Sequence, residues 1–337
     1  MIGTGGSISN SNRTGSQAQW RENRVAGRQM VASNHNNNPK ITLFTLPKPF
    51  SGHIGIIQRN AIRSWITLGP AVEIILIGDE TGMAETASTL GVGHVPVVDR
   101  NQYNTPMVNS AFQIAQEVGR GSLMAYVNAD IILTPNLLKV IENISLDRFL
   151  VSCQRWDLDL DFEFDFESAG WQSRLNESVK SRGRLHEPAG IDCFIFPRGM
   201  YQDLPPFAIG RPGWDNWLIY RTRQMQIPVI DATQVMMIVH QNHDYSHHPK
   251  IVGTEHGGPE RDINLELAGG WDYIFNLEDA DWLMGPDGLK KSPLTMKNLP
   301  RRLQTLGVLS PFAAPISKLY SFCRYSLKKF KDLMLGR

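Results

Sequence analysis

Two acids in apolar surroundings carry the first chemical signal in this chain of 337 residues. Asp79 closes the run "VEIILIGD" (72–79), and Asp130 sits inside "LMAYVNADIIL" (123–133) with Asn128 two residues ahead. A charge in such a run is costly to bury unless something neutralises it. In open α/β sheets, ligands bind beyond the carboxyl ends of the strands. Two acids at one rim therefore suggest a polar ligand, a metal ion, or both, and carboxylate oxygens suit Mg2+ or Mn2+. No GxGxxG follows the first strand and no GxxxxGK[ST] occurs, so no glycine-rich loop is present to cradle phosphates. A chain lacking one commonly binds phosphates through a divalent cation.

Three other stretches compete for attention. "DLDLDFEFDFE" (157–167) contains literal Asp-x-Asp repeats and rivals Asp130 as a metal site. Its acids alternate with Leu and Phe, which puts the charges on one face, as a solvated edge strand or a flap requires. "VHQNHDYSHH" (239–248) gathers His240, His243, His247 and His248 behind an apolar run. Such a cluster either ligates a metal or merely solvates a loop. "IGRPGWDNWL" (209–218) puts Asp215 at a helix start, where the helix dipole by itself favours an acid.

The elements that would position these residues follow from periodicity. "ITLFTL" (41–46) is a first strand, "PKPFSGH" a loop, and "IGIIQRNAIRSWITLG" has helical spacing. Strand two is 72–79, then a helix near 81–90, then "VGHVPVV" as strand three. "TPMVNSAFQIAQEVG" is a helix with Pro near its start and Gly after its end. "LMAYVNADIIL" is strand four, followed by a helix that Pro135 opens. Strands alternating with such helices predict βαβ units on a parallel sheet. Beyond residue 146, "FLVSCQRW", "GIDCFIFP" and "PVIDATQVMMIVH" read as strands and "GWDNWLIYRTRQMQ" as a helix, so this half is mixed.

Composition narrows the partners. A net charge of +1 argues against a nucleic-acid protein, and 42% hydrophobic with 20% charged residues is an ordinary globular balance. Cys153, Cys193 and Cys323 fit no CxxC pattern and suit a reducing compartment. Nothing approaches the ~20 apolar residues of a membrane span or a signal core, so a cytoplasmic protein is expected. Residues 1–39, rich in Ser, Asn, Gly and Gln, predict disorder, and four arginines against Glu22 also fit a transit peptide. From 294 to 337, nine Lys and Arg face one acid, Asp332. There Ile316, Leu319, Cys323, Leu327, Phe330 and Met334 make an apolar stripe, either docked on the domain or lying on an anionic membrane surface.

The N-terminal αβ pattern with Asn128-Ala129-Asp130 at strand four resembles the GT-A fold of nucleotide-sugar glycosyltransferases, family-two-like, over roughly residues 41–250. The resemblance implies an α/β, Rossmann-like mixed sheet with helices on both faces, forming one catalytic domain over 40–293. It implies a metal-dependent, hexosyltransferase-like enzyme that moves a sugar from a nucleotide-sugar to a hydroxyl of a glycan, lipid or protein. Asp130 would hold Mn2+ or Mg2+ against the donor diphosphate with Asn128 assisting, and His240 or His243 would complete the shell. Thr45 and Asp79 would face the nucleoside. "GWDNW" is similar to the segment where inverting members place a general base, which makes Asp215 the base. Trp214 would then offer a ring to the acceptor, and Asp192, exposed at the start of its strand, would shape the acceptor side. A sugar nucleotidyltransferase and a non-catalytic carbohydrate-binding or scaffold protein are the alternatives. The first normally carries a Gly-rich loop after strand one, and "LPKPFSGH" has one glycine.

Overall fold

The computed structural model describes residues 39–243, 258–296, 298–320 and 322–323. Residues 1–38 of the expected disordered segment and residues His247, His248, Leu327, Phe330 and Met334 lie outside them. The N-terminal half alternates as its periodicity predicts. β1 (Ile41–Thr45), α1 (Gly52–Ile66), β2 (Val72–Ile77), α2 (Met83–Leu90), β3 (Gly93–Val95), α3 (Val108–Val118) and β4 (Leu123–Val127) follow in order. β1 pairs in parallel with β2 and β4, and β2 with β3.

Both faces of this sheet are covered, which is why its strands read as unbroken apolar runs. Phe44, Ile75, Met124 and Tyr126 face one side, against Ala111, Phe112 and Ala115 of α3. Ile41, Leu43, Ile74 and Leu76 face the other, against Ala61, Ile62 and Trp65 of α1. The period-two alternation of a strand thus feeds two cores.

The C-terminal half adds β5 (Ile131–Leu133), α4 (Asn136–Glu142), β6 (Leu150–Ser152), β7 (Arg155–Leu158), α5 (Trp171–Arg182), β8 (Arg184–Leu185) and β9 (Cys193–Pro197). It continues with α6 (Trp214–Gln224), β10 (Val229–Asp231), β11 (Ile238–Gln241), α7 (Pro259–Ala268), β12 (Trp282–Gly285), β13 (Gly288–Lys291) and α8 (Leu299–Leu309). The main sheet has the order β13-β12-β10-β6-β9-β4-β1-β2-β3, and a second sheet has β5-β11-β7-β8. β9 runs antiparallel to both of its neighbours, so the main sheet is mixed, as expected.

Three runs expected as single strands are each broken in two. "LMAYVNADIIL" divides into β4 and β5, "FLVSCQRW" into β6 and β7, and "PVIDATQVMMIVH" into β10 and β11. In every case the first piece joins the main sheet and the second joins the smaller one. The breaks have local causes. The Asp231 carboxylate accepts from the Thr233 backbone N–H (2.9 Å) and hydroxyl (2.5 Å), an Asx turn that ends β10. At the first break, Ile131 N–H donates to Asn128 C=O (3.1 Å), and Asn128 N–H donates across to Asp192 C=O (2.9 Å).

The acids of "DLDLDFEFDFE" from Asp159 on face solvent as expected, but the run is not an edge strand. Only Asp157 and Leu158 belong to β7, and Leu160, Phe164 and Phe166 turn inward to pack with Trp171, Leu175 and Val179 of α5. At the other end of the chain, α8 is docked on the domain. Arg301 pairs with the buried Asp279 at 2.6 Å, and its guanidinium lies 5.4 Å from the Phe275 ring.

Candidate active site

The second sheet assembles the candidate site. β11 lies between β5 and β7, with His240 opposite Ile131 on one side and Asp157 on the other. That register sets His240 beside the β4–β5 turn, where Asp130 sits. Gln241, the next residue, locks the turn: its backbone N–H and its side-chain amide both donate to Asp130 C=O, at 3.2 and 3.0 Å. The same amide donates to Ile57 C=O of α1 (2.8 Å), and Asn60 donates to the Gln241 oxygen (2.9 Å).

Asp130, His240 and His243 converge. The Asp130 Oδ2 stands 3.2 Å from His243 Nε2 and 3.7 Å from His240 Nε2, and one ligand atom from each lies within 4.8 Å of the others. The second oxygen, Oδ1, is buried with no hydrogen-bond partner. An orphaned carboxylate oxygen beside two imidazoles is a donor set that fits a divalent cation. Burial would raise the Asp130 carboxyl, but the imidazoles and the Lys48 ammonium outweigh it and hold the group well below the usual carboxylate range. Behind the imidazole, His240 Nδ1 faces the buried Asp157 Oδ1 at 3.5 Å. At that distance the carboxylate is a charge neighbour of the ring rather than its hydrogen-bond partner.

Sequence reasoning missed three residues. Asp157 was hidden by its acidic repeat, and Lys48 and Arg155 fit no motif. All three become visible only when β7 and the β1–α1 loop close on the turn. Arg155 Nη1 donates to Asp192 (2.8 Å) and Nε to Asp157 (3.0 Å). Burial would lower the Arg155 guanidinium, yet the Asp192 and Asp157 carboxylates raise it above its ordinary value. Lys48 is pushed down by burial, with Asp130 opposing. Lys48, Gln58, Tyr126, Asn128, Arg155 and Asp192 line one cleft with the three candidate ligands.

Asn128 is engaged differently from expectation. Its Nδ2 donates to Asp192 Oδ1 at 2.5 Å, and its Oδ1 accepts from the Tyr126 hydroxyl at 2.9 Å. An aspartate at 128 would face Asp192 with no proton to share, which explains the amide. Asn128→Asp, which restores a literal Asp-x-Asp, is expected to cost about 1–3 kcal/mol of stability from the lost donor to a buried carboxylate. Urea unfolding at neutral pH checks it.

Asp192 was expected exposed at a strand start. It is buried instead, because Asn128 and Arg155 satisfy both its oxygens. Trp214 is likewise a core residue: its ring packs edge-on to Tyr126 (5.1 Å) and tilted on Phe194 (5.6 Å), with little surface left for an acceptor. Asp215 begins α6, as expected, with its Oδ1 accepting from Asn216 N–H at 2.9 Å. Burial pushes its carboxyl up to about 6 against that backbone donor, with the Asp192 charge adding to the rise. Burial also raises the Tyr126 hydroxyl, helped by the charges of Asp130, Asp192 and Asp215, although Asp215 itself does not line the cleft.

Thr45 ends β1 fully buried with its hydroxyl unpartnered, and Asp79, 67% exposed after β2, pairs with Arg100 at 2.5 Å. Neither belongs to the lining of the Asp130 cleft among the described residues.

No family model and no curated protein matches the chain. Among solved structures, it is similar to glucosyl-3-phosphoglycerate synthase from Mycobacterium tuberculosis in complex with phosphoglyceric acid, at 16% identity over 69% of this chain and 81% of that one (TM-score 0.42). It is also similar to a mannosyltransferase from Pyrobaculum calidifontis in complex with GDP-Man and Mn2+, at 14% identity over 92% and 87% (TM-score 0.41). The mycobacterial synthase with Mn2+, UDP and phosphoglyceric acid matches at 14% identity over 77% and 88% (TM-score 0.41). At these identities and TM-scores the likeness carries no chemistry, which rests on the side chains.

Proposed function

We propose that residues 40–293 form a glycosyltransferase domain that moves a sugar, hexose in class, from a nucleotide-sugar to a hydroxyl of a glycan, lipid or protein. The observation that carries this is the cluster of Asp130, His240 and His243 in a cleft that Lys48 and Arg155 also line. Acid and histidine ligands would hold a cation, and the Lys48 ammonium suits a phosphate oxygen, while Arg155 is committed to Asp192 and Asp157. A divalent ion bound there would act as a Lewis acid on the donor diphosphate and ease departure of the nucleotide. Two nitrogen ligands favour Mn2+ over Mg2+, since imidazole is a poor partner for the harder ion.

The protein's own groups do the rest. Gln241 holds the turn that carries Asp130. Asn128 and Arg155 fix Asp192, and with it the wall beside Tyr126. Asp79, exposed after β2, would face the nucleoside, whereas Thr45 is fully buried and would touch no donor. Asp215 takes the proton of the acceptor hydroxyl, and its raised value near 6 leaves it ionised at neutral pH yet a better base than an ordinary aspartate. Transfer then inverts the anomeric centre.

A scaffold role loses its main support, because Asn128 is a donor to Asp192 rather than a defective ligand. A nucleotidyltransferase is separated by product. Free Cys153, Cys193 and Cys323 suit a reducing compartment such as the cytoplasm. No helix among the described residues is long and apolar enough to cross a membrane.

Incubation with a panel of nucleotide-sugars tests the proposal. Release of nucleoside diphosphate with Mn2+, abolished by chelation, is the expected outcome. Release of pyrophosphate from a nucleoside triphosphate and a sugar phosphate would instead assign a nucleotidyltransferase. Failure of every donor to bind or turn over would refute both.

A further inference from the structure

Beyond α8 the chain makes a 3-10 turn at Pro311–Ala313 and is helical again over 314–320. This second segment is pinned to α8 by one face. The Ser317 hydroxyl accepts from Gly307 N–H (2.7 Å) and donates to Leu303 C=O (2.8 Å). The crossing needs a glycine, because a Cβ at 307 would sit 2.9 Å from both Ser317 Oγ and Ala314 Cα. α8 itself is fixed to the domain by Arg301 and Arg302, which bond to the Asp279 side chain and to Asp279 C=O.

With Ser317 turned inward, the opposite face is decided by helical geometry. At about 100° per residue, Ile316, Leu319 and Phe322 all fall on the half of the helix away from Ser317. They are 54%, 64% and 68% exposed, and Phe312 in the preceding turn is 98% exposed. Four large apolar side chains thus share an outward stripe on a segment whose other face is already held. Lys318 flanks the stripe in the open, and the sequence continues with Arg324, Lys328, Lys329 and Lys331.

We infer that residues 311–323 are a membrane-surface anchor that lies in the interface of an anionic bilayer. Charge selects the occupant. The 294–337 segment carries nine basic residues against Asp332, in a chain of net charge +1, so its basic excess is concentrated here. A second copy of the chain would bring the same basic patch against itself, as an isologous contact demands. An anionic headgroup layer instead offers the opposite charge and an apolar boundary together.

The full chain is tested by sedimentation with phosphatidylcholine vesicles containing about one third phosphatidylserine, and with phosphatidylcholine alone. It is expected to sediment with the first, much less with the second, and less with the first at high salt. Replacing two exposed side chains, Leu319→Ser with Phe322→Ser, should weaken vesicle partition by on the order of a hundredfold and leave the melting temperature unchanged. A wild-type chain that stays in the supernatant would overturn the inference. So would a double variant that sediments as fully as its parent. If size-exclusion shows a wild-type dimer that the double variant loses, the stripe is a subunit interface and the inference fails. No nucleotide enters this assay, so its failure and that of the transfer reaction are distinguishable.

Discussion

Asp130→Ala is expected to abolish transfer and to weaken Mn2+ binding by at least about a hundredfold, because even outer-shell partners of a metal site are worth 10–100-fold and Asp130 is the proposed oxygen ligand. Titration calorimetry reads the loss directly: Mn2+ alone, then a nucleotide-sugar with and without Mn2+. The fold should survive, since the turn is held by backbone Asp130 C=O and Gln241 rather than by the carboxylate. The far-UV circular dichroism spectrum should therefore match the wild type. Asp159→Asn with Asp161→Asn is the control. Asp159 accepts from Asn242 at 2.8 Å outside the ligand cluster, so the double variant should bind Mn2+ nearly as well as its parent. Unchanged Mn2+ affinity in Asp130→Ala would place the metal elsewhere.

The second large effect is expected at the proposed base. Asp215→Asn keeps the shape and the hydrogen bond from Asn216 but cannot accept a proton at the acceptor. Turnover should fall by roughly 10²–10⁴-fold while donor affinity persists. In the wild type, kcat/KM should rise with pH through about 6, as burial raises the Asp215 carboxyl and the ionised form is the active one. The variant should lack that limb.

Stability moves the opposite way. A carboxyl whose folded value is raised holds its proton more tightly in the native state, so the wild type loses stability as pH rises from about 4 to about 6. Asparagine carries no such cost, and the variant should melt no lower than the wild type at pH 7. A low-activity variant that also melts early would mean unfolding rather than lost chemistry. Retention of anomeric configuration, read by NMR of the product, would remove the role outright.

The alternation of β1 to β4 with three helices was legible because each strand is apolar on both faces and each helix carries a stripe. The rest was not, for a physical reason. A hydrophobic run records that its residues are buried, and both pieces of a broken strand are. Nothing in "FLVSCQRW" says that Val151 and Trp156 belong to different sheets. Asp130, His240 and His243 stood out in the sequence because charge inside or just after an apolar run is conspicuous. Asp157 failed that test by standing first in a row of acids. Lys48 and Arg155 failed it because basic residues in loops are ordinary until a fold gathers them. Trp214 was misread since an aromatic ring beside an acid looks the same whether it meets a ligand or Tyr126.

The divided strands also fix when the site can come into being. Asp130 is 113 residues from His243, and its turn is locked by Gln241 across 111. Contacts of such sequence separation form only after a long loop has closed, and chains rich in them fold slowly. On the ribosome, β1 to β4 can pair while residues 238–243 are still unmade. An N-terminal intermediate of that kind has most of the parallel sheet and one of the three ligands. The three candidate ligands cannot converge in a nascent chain until β11 has emerged and paired between β5 and β7, while β12 and β13 at the far edge of the main sheet are still unmade.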